Sequence, residues 1–463
     1  MSNSHWAVTV PGTLLVLLAA NLGAAATPRL QSIAITPSAA TISVGQVQAF
    51  TAKGTFSDGS SRALGPAMSD LSPGYRTTCV LLTSRGVECW GRNFEGELGN
   101  GSTTDSVRAV PVTGITTATA VSMSVYHACA VLASGAARCW GKNVFGQLGN
   151  GTLNMATTPV AVSGISTATA MVTGYAYSCA LLASGAVRCW GYGGEGTLGN
   201  GSYADSSVPV AVTGISTATA LAGGDFHVCA LLASGAVKCW GNGAYGALGN
   251  GTATYSNTPV TVSGLVNARA IVAGDYNSCA LLSDGTVKCW GLNQQGTLGN
   301  GTNTDSSVPV AVSGISAATA ITAGEIHNCA VLRSGPVMCW GYNFYGQLGN
   351  GTKTDSNTPV RVKGLTAPAK LAAGLYHTCA LSTSGKAQCW GWNSSGQLGD
   401  LRLATSTLPV TVAGTPGVVW TSSNSSTATI TDRGVATGRA AGNTTITAGT
   451  AGLVNDNAVL TVK

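Results

Sequence analysis

The sequence predicts an all-β chain whose larger part is a seven-bladed β-propeller, flanked by two stretches of a different β type. Three observations predict it. From Cys79 to Cys389 the chain matches itself at a constant spacing of 50 residues, the signature of a repeat architecture. Each copy breaks into four short alternating or apolar runs separated by Gly, Ser, Asn and Thr; four strands make a blade, and seven blades close a ring that hides their edges. The composition agrees, with 63 glycines and only 9% charged residues, as short strands joined by tight turns require.

Along the chain, Leu14 to Ala20 is a short apolar run followed by the small residues Ala24, Ala25 and Ala26, so residues 1–26 read as a signal peptide. Only His5 stands where positive residues usually precede such a run, and the run is too short to anchor in a bilayer. No later stretch predicts a membrane span. Residues 67–414 hold the repeats, represented by the copy Pro209 to Thr258 with strands at Pro209–Val212, Ala218–Ala222, His227–Leu232 and Ala236–Gly241. In this framing the Pro-Val run opens each blade as its outer strand. Leu408 to Val412 repeats that run with no eighth cysteine pair behind it. It is therefore expected to complete the first blade, whose outer strand is missing upstream of Met68, with residues near 65 and 415 lying side by side.

The 14 cysteines form seven pairs: Cys79 with Cys89, Cys129 with Cys139, Cys179 with Cys189, Cys229 with Cys239, Cys279 with Cys289, Cys329 with Cys339, and Cys379 with Cys389. Hairpin arithmetic places each pair. A three-residue turn Ser283, Asp284, Gly285 sets Leu282 opposite Thr286, which brings Cys279 opposite Cys289 at a non-hydrogen-bonded position where a cross-strand disulfide fits. A nine-residue gap is too wide for paired zinc ligands. Nothing basic or helical is arranged to make the thiols redox-active. Disulfides on this scale predict an oxidising compartment outside the cell.

The stretch from Gly374 to Thr378, with Trp390, Gly391, Trp392 and Asn393 and then Gly396, Gln397, Leu398 and Gly399, resembles the repeats of the regulator of chromosome condensation (RCC1-like) family. The resemblance covers about residues 68 to 414 and implies a propeller, while leaving function open. Leu30 to Gly45 and Phe56 to Ser60, with Trp420 to Asn424, Gly434 to Gly438, Thr444 to Thr447 and Ala458 to Val462, resemble the two halves of a bacterial Ig-like domain of group 2. This second resemblance implies one sandwich split between residues 27–66 and 415–463, so the expected architecture is a seven-bladed β-propeller inserted into an Ig-like β-sandwich.

Seven copies in one chain also separate constant positions from variable ones. The strand cores and the Cys-Trp-Gly and Leu-Gly-Asn-Gly corners barely change; the loop before the first cysteine and the loop after Trp-Gly do. Because the third run starts where the fourth returns, both loops are expected on one face. They carry the candidate binding residues Arg92, Phe94, Tyr126, Phe145, Tyr175, Tyr192, Phe226, Tyr245, Tyr276, Tyr342, Phe344, Tyr345, Tyr376 and Trp392. With the connections to the next blade they hold all 12 tyrosines of the chain, and aromatic rings are favoured at interface centres. Packing between blades is the competing role for these rings.

His127, His227, His327 and His377 share one repeat position with Thr77, Tyr177 and Asn277, which suits a hydrogen-bonding blade element better than a general base. Asp105, Asp205, Asp305 and Asp355 read as turn caps and the Asn-Gly-Thr and Asn-Gly-Ser corners as turn chemistry. No catalytic constellation, cofactor site or metal site is recognisable. A net charge of +6 without a basic run does not call for nucleic acid. The expected protein is a bacterial, secreted, extracellular or cell-surface monomer that is not an enzyme and binds a protein or glycan through the aromatic face. Inhibition of a secreted enzyme, as in β-lactamase-blocking propellers of similar type, is the alternative. Guanine-nucleotide exchange, the activity of the family's founding member, ranks below both: it uses a wedge projecting from a blade, and the unbroken 50-residue spacing leaves no room for one.

Overall fold

The computed structural model describes residues 30–57, 59–413, 415, 417–431, 434–450 and 455–463; the expected signal peptide lies outside them. Seven four-stranded antiparallel sheets follow one another from Met68 to Thr411. Blade one comprises Met68–Pro73, Thr77–Leu82, Val87–Gly91 and Ser106–Pro111; blade four comprises Ala218–Gly223, His227–Leu232, Val237–Gly241 and Ser256–Thr261; blade seven comprises Lys370–Ala373, His377–Leu381, Ala387–Gly391 and Ser406–Thr411. The ends of the first strands of all seven blades, at Pro73, Met123, Thr173, Gly223, Ala273, Ala323 and Ala373, line one cavity that marks the ring axis.

The second and third strands form the predicted hairpin. In the fifth blade Leu281 faces Val287 and Cys279 faces Cys289. The turn is closed by the Leu282 N–H donating to the Thr286 carbonyl at 2.9 Å, with Gly285 at φ +87°. All seven disulfides are present with Cα atoms 4.0–4.1 Å apart, the separation of a non-hydrogen-bonded pair. Blade one has Arg85 where the other blades have glycine, and it is held at φ +68°.

The expected outer-strand exchange is corrected by the sheet order. Ser406–Thr411 pairs with the third strand of blade seven, Cys389 facing Val410, and blade one carries its own outer strand, Ser106–Pro111. Each Pro-Val run therefore ends its blade, and Pro209 belongs with the blade before the one assigned above. A repeat has no intrinsic first residue, and the short connection after Val212 favoured the wrong neighbour. That connection instead returns the chain from the rim to the axis of the next blade.

Ring closure consequently needs no shared strand. The Trp140, Trp190, Trp240, Trp290, Trp340 and Trp390 indoles each donate to a backbone carbonyl of the preceding blade at 2.8–3.0 Å. Trp90 makes the same bond, at 3.0 Å, to Gln397 of blade seven. Met68, Leu71, Val80, Leu82 and Trp90 pack there against Leu381, Leu398 and Val412.

The expected proximity of the propeller ends is observed. The Val418 N–H donates to the Gly65 carbonyl at 2.8 Å and the Ala67 N–H to the Val418 carbonyl at 3.1 Å. The flanks form one sandwich: Ala39–Ile42 runs parallel beside Asn455–Val462, and Val47–Ala49 pairs with Val435–Gly438. Its core mixes both halves, with Ile33, Ile35, Phe50 and Ala52 packed among Val418, Ala428, Ile446 and Leu460.

Two stability outcomes follow. Trp90→Phe and Trp390→Phe each remove the indole donor from a buried carbonyl that keeps a threonine hydroxyl, Thr78 or Thr378, and should each cost about 0.5–1.5 kcal/mol in equilibrium denaturation. The two losses should agree within about 1 kcal/mol if the closing junction is like the rest. Arg85→Gly should raise stability by about 0.5–1 kcal/mol by relieving the left-handed backbone, read as a higher denaturation midpoint.

Candidate recognition face

Both variable loops lie at the same end of the ring because the residue after each Trp-Gly donates its backbone N–H to the carbonyl of the loop before the first cysteine. Examples are Arg92 to Arg76, Lys142 to Tyr126, Leu292 to Tyr276 and Trp392 to Tyr376, each at 2.9 Å. Gly91 makes the approach possible: its φ is +111°, and a Cβ there would lie 2.2 Å from the Arg76 carbonyl oxygen.

Behind the second loop stands a fully buried asparagine. Asn93 Oδ1 accepts from the Leu98 N–H at 2.8 Å, while Nδ2 donates to the Ser102 and Thr104 carbonyls at 3.0 and 3.1 Å. Asn143, Asn293, Asn343 and Asn393 repeat the clamp. The backbone bearing Phe94, Phe145, Phe344 and Trp392 is thus fixed from within. The recurrent Trp-Gly-x-Asn pattern displays this asparagine in the sequence, but its clamping role appears only with the loop closed around it.

The rings form two continuous runs. Tyr126, Tyr175, Phe226, Tyr276 and Tyr245 follow one another with centroids 5.4–5.5 Å apart. Tyr75, Tyr345, Tyr376 and Trp392 form a second cluster with centroids 5.1–5.9 Å apart, extended by Tyr342 and Phe344. Phe145 and Tyr192 make a separate pair at 5.1 Å. The rings pack on one another across blade boundaries and still present surface: Phe94 is 68% exposed and Phe344 60%. Tyr177 is the exception among the tyrosines. It is 1% exposed, and its hydroxyl lies 2.7 Å from both the Gly224 and His227 carbonyls. It occupies the histidine position, inside the ring.

Charge is distributed unevenly. Arg76 lies over the Trp392 ring at 4.3 Å, and Arg92 and Lys142 lie over Tyr126 at 5.3 and 4.7 Å, so cations cluster at blades one and two. Asp225, Asp275 and Glu325, at one repeat position of blades four to six, line or border the axial cavity. Burial and mutual repulsion push Asp225 up to about 7 and Asp275 to about 9. Burial also raises Glu325, against a hydrogen bond from Tyr376.

The histidines behave as blade elements. Each is fully buried, and each Nε2 meets a hydroxyl of the next blade: His127 meets Ser178, His227 Ser278, His327 Thr378 and His377 Thr78, at 2.7–2.9 Å. Burial holds His127, His327 and His377 down near 3 and His227 near 4. Asp105, Asp205, Asp305 and Asp355 cap turns as expected, each accepting a loop N–H at 2.7–2.8 Å. Among the described residues no helix is long and apolar enough to cross a membrane.

Residues 154–430 match the family described as RCC1-like domain, residues 118–147 the regulator of chromosome condensation (RCC1) repeat, and residues 404–462 the bacterial Ig-like domain (group 2). No curated protein sequence matches the chain. Among solved structures, human WBSCR16 is similar at 23% identity and TM-score 0.63, over 69% of this chain and 88% of that one. Yeast RCC1 (Prp20), solved bound to Kap60, is similar at 21% identity and TM-score 0.64, over 76% and 87% of the two chains. At these identities the likeness is one of fold.

The buried groups predict a pH profile. The imidazoles fold neutral, so their contribution is complete above the unfolded value of 6.5 and is lost as pH falls toward 3–4. The carboxyls fold protonated, so theirs is complete below 3.8 and is lost as pH rises through about 7 and about 9. Scanning calorimetry should find the highest unfolding temperature near neutrality. Asp275→Asn should flatten the alkaline limb and leave the acid limb in place.

Proposed function

The chain belongs to the RCC1-like domain family, and from that premise we propose that it is a secreted, non-catalytic binding protein that captures a protein partner on the aromatic face. The observation that carries this reading is the run of rings spanning several blades at one end of a disulfide-pinned ring. Aromatic side chains bury large areas with little loss of rotamer freedom, and a loop backbone clamped by buried asparagines lowers the ordering cost of binding further. Seven disulfides with no free cysteine support an oxidising, extracellular setting, as does the Ig-like domain match over residues 404–462. In this reading the sandwich, residues 27–66 with 415–463, is a spacer or surface module, and the propeller, residues 67–414, is the binding element.

The test uses the full chain immobilised and exposed to proteins of a bacterial culture supernatant and cell surface. It is compared with a variant carrying Tyr342→Ala, Phe344→Ala and Tyr345→Ala. The variant should keep its fold by circular dichroism and hold the captured partner at least about 10-fold more weakly, since central aromatic residues typically contribute 2 kcal/mol or more. Equal capture would remove the patch from the binding surface. Residual-activity assays on secreted hydrolases, β-lactamases included, distinguish inhibition from adhesion.

A further inference from the structure

We propose that the boundary between blade seven and blade one is a seam at which the ring opens locally while the other six boundaries stay shut. Each of those six carries two backbone hydrogen bonds besides its indole bond. Toward the aromatic face, the glycine of the Asn-Gly corner donates to the outer strand of the next blade at 2.8–3.0 Å, from Gly101 to Thr157 round to Gly351 to Thr407. Toward the opposite end, the residue leading into the next first strand donates to the hairpin turn of the blade before it at 2.7–3.0 Å, from Ala118 to Arg85 round to Ala367 to Gly335. Among the described residues, the counterparts at the closing boundary, Leu401 to Val107 and Met68 to Gly385, are both missing.

Each loss has its own cause in the sequence. The six corner glycines stand at φ +81° to +90°, whereas blade seven replaces Asn-Gly by Asp400 and Leu401. Leu401 is held at φ +66°, nearer the left-handed well at about +57° that is the least costly one for a residue with a side chain. Its N–H makes no bond to the neighbouring strand. At the opposite end, the chain enters blade one from the sandwich and not from a preceding blade. Pro66 forms a parallel bridge with Val418, and the Ala67 N–H donates to the Val418 carbonyl at 3.1 Å. Met68 is therefore placed by the sandwich as well as by the ring. The other six boundaries are also crossed by the chain itself, as between Pro111 and Ala118; here it detours through a second domain.

The contacts kept at this boundary lie between those two ends: the Trp90 indole on the Gln397 carbonyl, Thr78 against His377, and the Leu375 N–H on the Gly74 carbonyl at 3.1 Å. The Lys370 and Asp70 pair, 3.5 Å apart and about half exposed, adds little. Beside the missing corner bond lies a groove of about 470 Å³ lined by Leu401, Val107, Trp90, Val412 and Leu64, so packing is also thinner there. Fewer bonds to break and space at their side give this boundary the lowest cost of opening. The aromatic face is affected unevenly. Tyr75 and Arg76 of blade one lie on Trp392 of blade seven at 5.4 and 4.3 Å, across the seam, whereas the run from Tyr126 to Tyr276 crosses only fully bonded boundaries. Opening adjusts the first group and leaves the second rigid.

The test follows the indole N–H groups of the full chain, disulfides intact, by NMR after isotopic labelling of the indole nitrogens and transfer to deuterated water, with signals assigned from single Trp→Phe variants. The seven buried indole bonds are alike in length, 2.8–3.0 Å, so equivalent boundaries would exchange at similar rates. With a seam, Trp90 should exchange at least about 10-fold faster than the other six. Leu401→Gly, which restores the corner residue of the other blades, should slow Trp90 at least about 3-fold and leave the other six unchanged. A Trp90 rate within about 3-fold of the rest, an unchanged Trp90 rate in Leu401→Gly, or equal slowing of all seven overturns the seam.

Discussion

One buried hydrogen bond, repeated at every blade boundary, holds the ring to a single geometry. The indole of each Cys-Trp-Gly corner is almost wholly inaccessible, and its N–H reaches back to a carbonyl of the preceding blade. An indole N–H buried without a partner would be costly, so the ring plane and the neighbouring backbone must be set together. Glycine makes the fit: a Cβ at Gly99 would lie 2.8 Å from Trp140, and one at Gly399 2.8 Å from Trp90. Trp, Gly and the accepting carbonyl therefore form a unit in which no member can change alone. This explains why the Trp-Gly and Leu-Gly corners are constant while the loops beyond them vary.

That junction has an electrostatic counterpart nearer the axis. The histidines are kept neutral by burial, and each bridges to a hydroxyl of the following blade, including His377 to Thr78 across the point where the chain closes on itself. Blade three substitutes Tyr177, whose hydroxyl reaches the Gly224 and His227 carbonyls instead. Different side chains thus perform one task, which is to satisfy polar backbone or side-chain groups at a boundary buried from bulk solvent. Closing the ring through side chains also leaves both ends of the propeller free to meet at Gly65 and Val418, where the sandwich takes over.

The sequence made the larger features legible for specific reasons. A period of 50 residues with a cysteine pair in each copy sets the blade number and, through hairpin counting, the pairing of Cys279 with Cys289. The split sandwich was readable because Leu30 to Gly45 and Trp420 to Asn424 resemble the two halves of one Ig-like domain and neither flank is long enough to bury a core alone. The phase of the repeat was not readable. Pairing of the Pro-Val run with the blade before or the blade after gives the same local pattern, and only the strand it hydrogen-bonds to within a sheet decides it. The one-face arrangement of the aromatic loops followed from strand direction. The inward turn of Tyr177 did not, since it depends on the histidine pocket that this residue fills.

The acids show most clearly what a linear reading loses. Asp225, Asp275 and Glu325 are 50 residues apart in sequence and look like ordinary polar loop residues. The ring brings them to adjacent blades around one axis, where burial and mutual repulsion raise their proton affinity. The cations Arg76, Arg92 and Lys142 lie on the other side of the ring and engage aromatic faces instead of these carboxyls. An exact sevenfold repeat would have placed seven like groups at the axis, so divergence at this position, with that at the positions of Arg76 and of Arg92 and Lys142, gives a symmetric scaffold a polarised face. The same rigid junctions that forbid change at Trp and Gly permit it here, because the acid-bearing loop is held through its backbone, the Phe226, Tyr276 and Ile326 carbonyls accepting from the Asn242, Leu292 and Tyr342 N–H groups whatever the neighbouring side chains are.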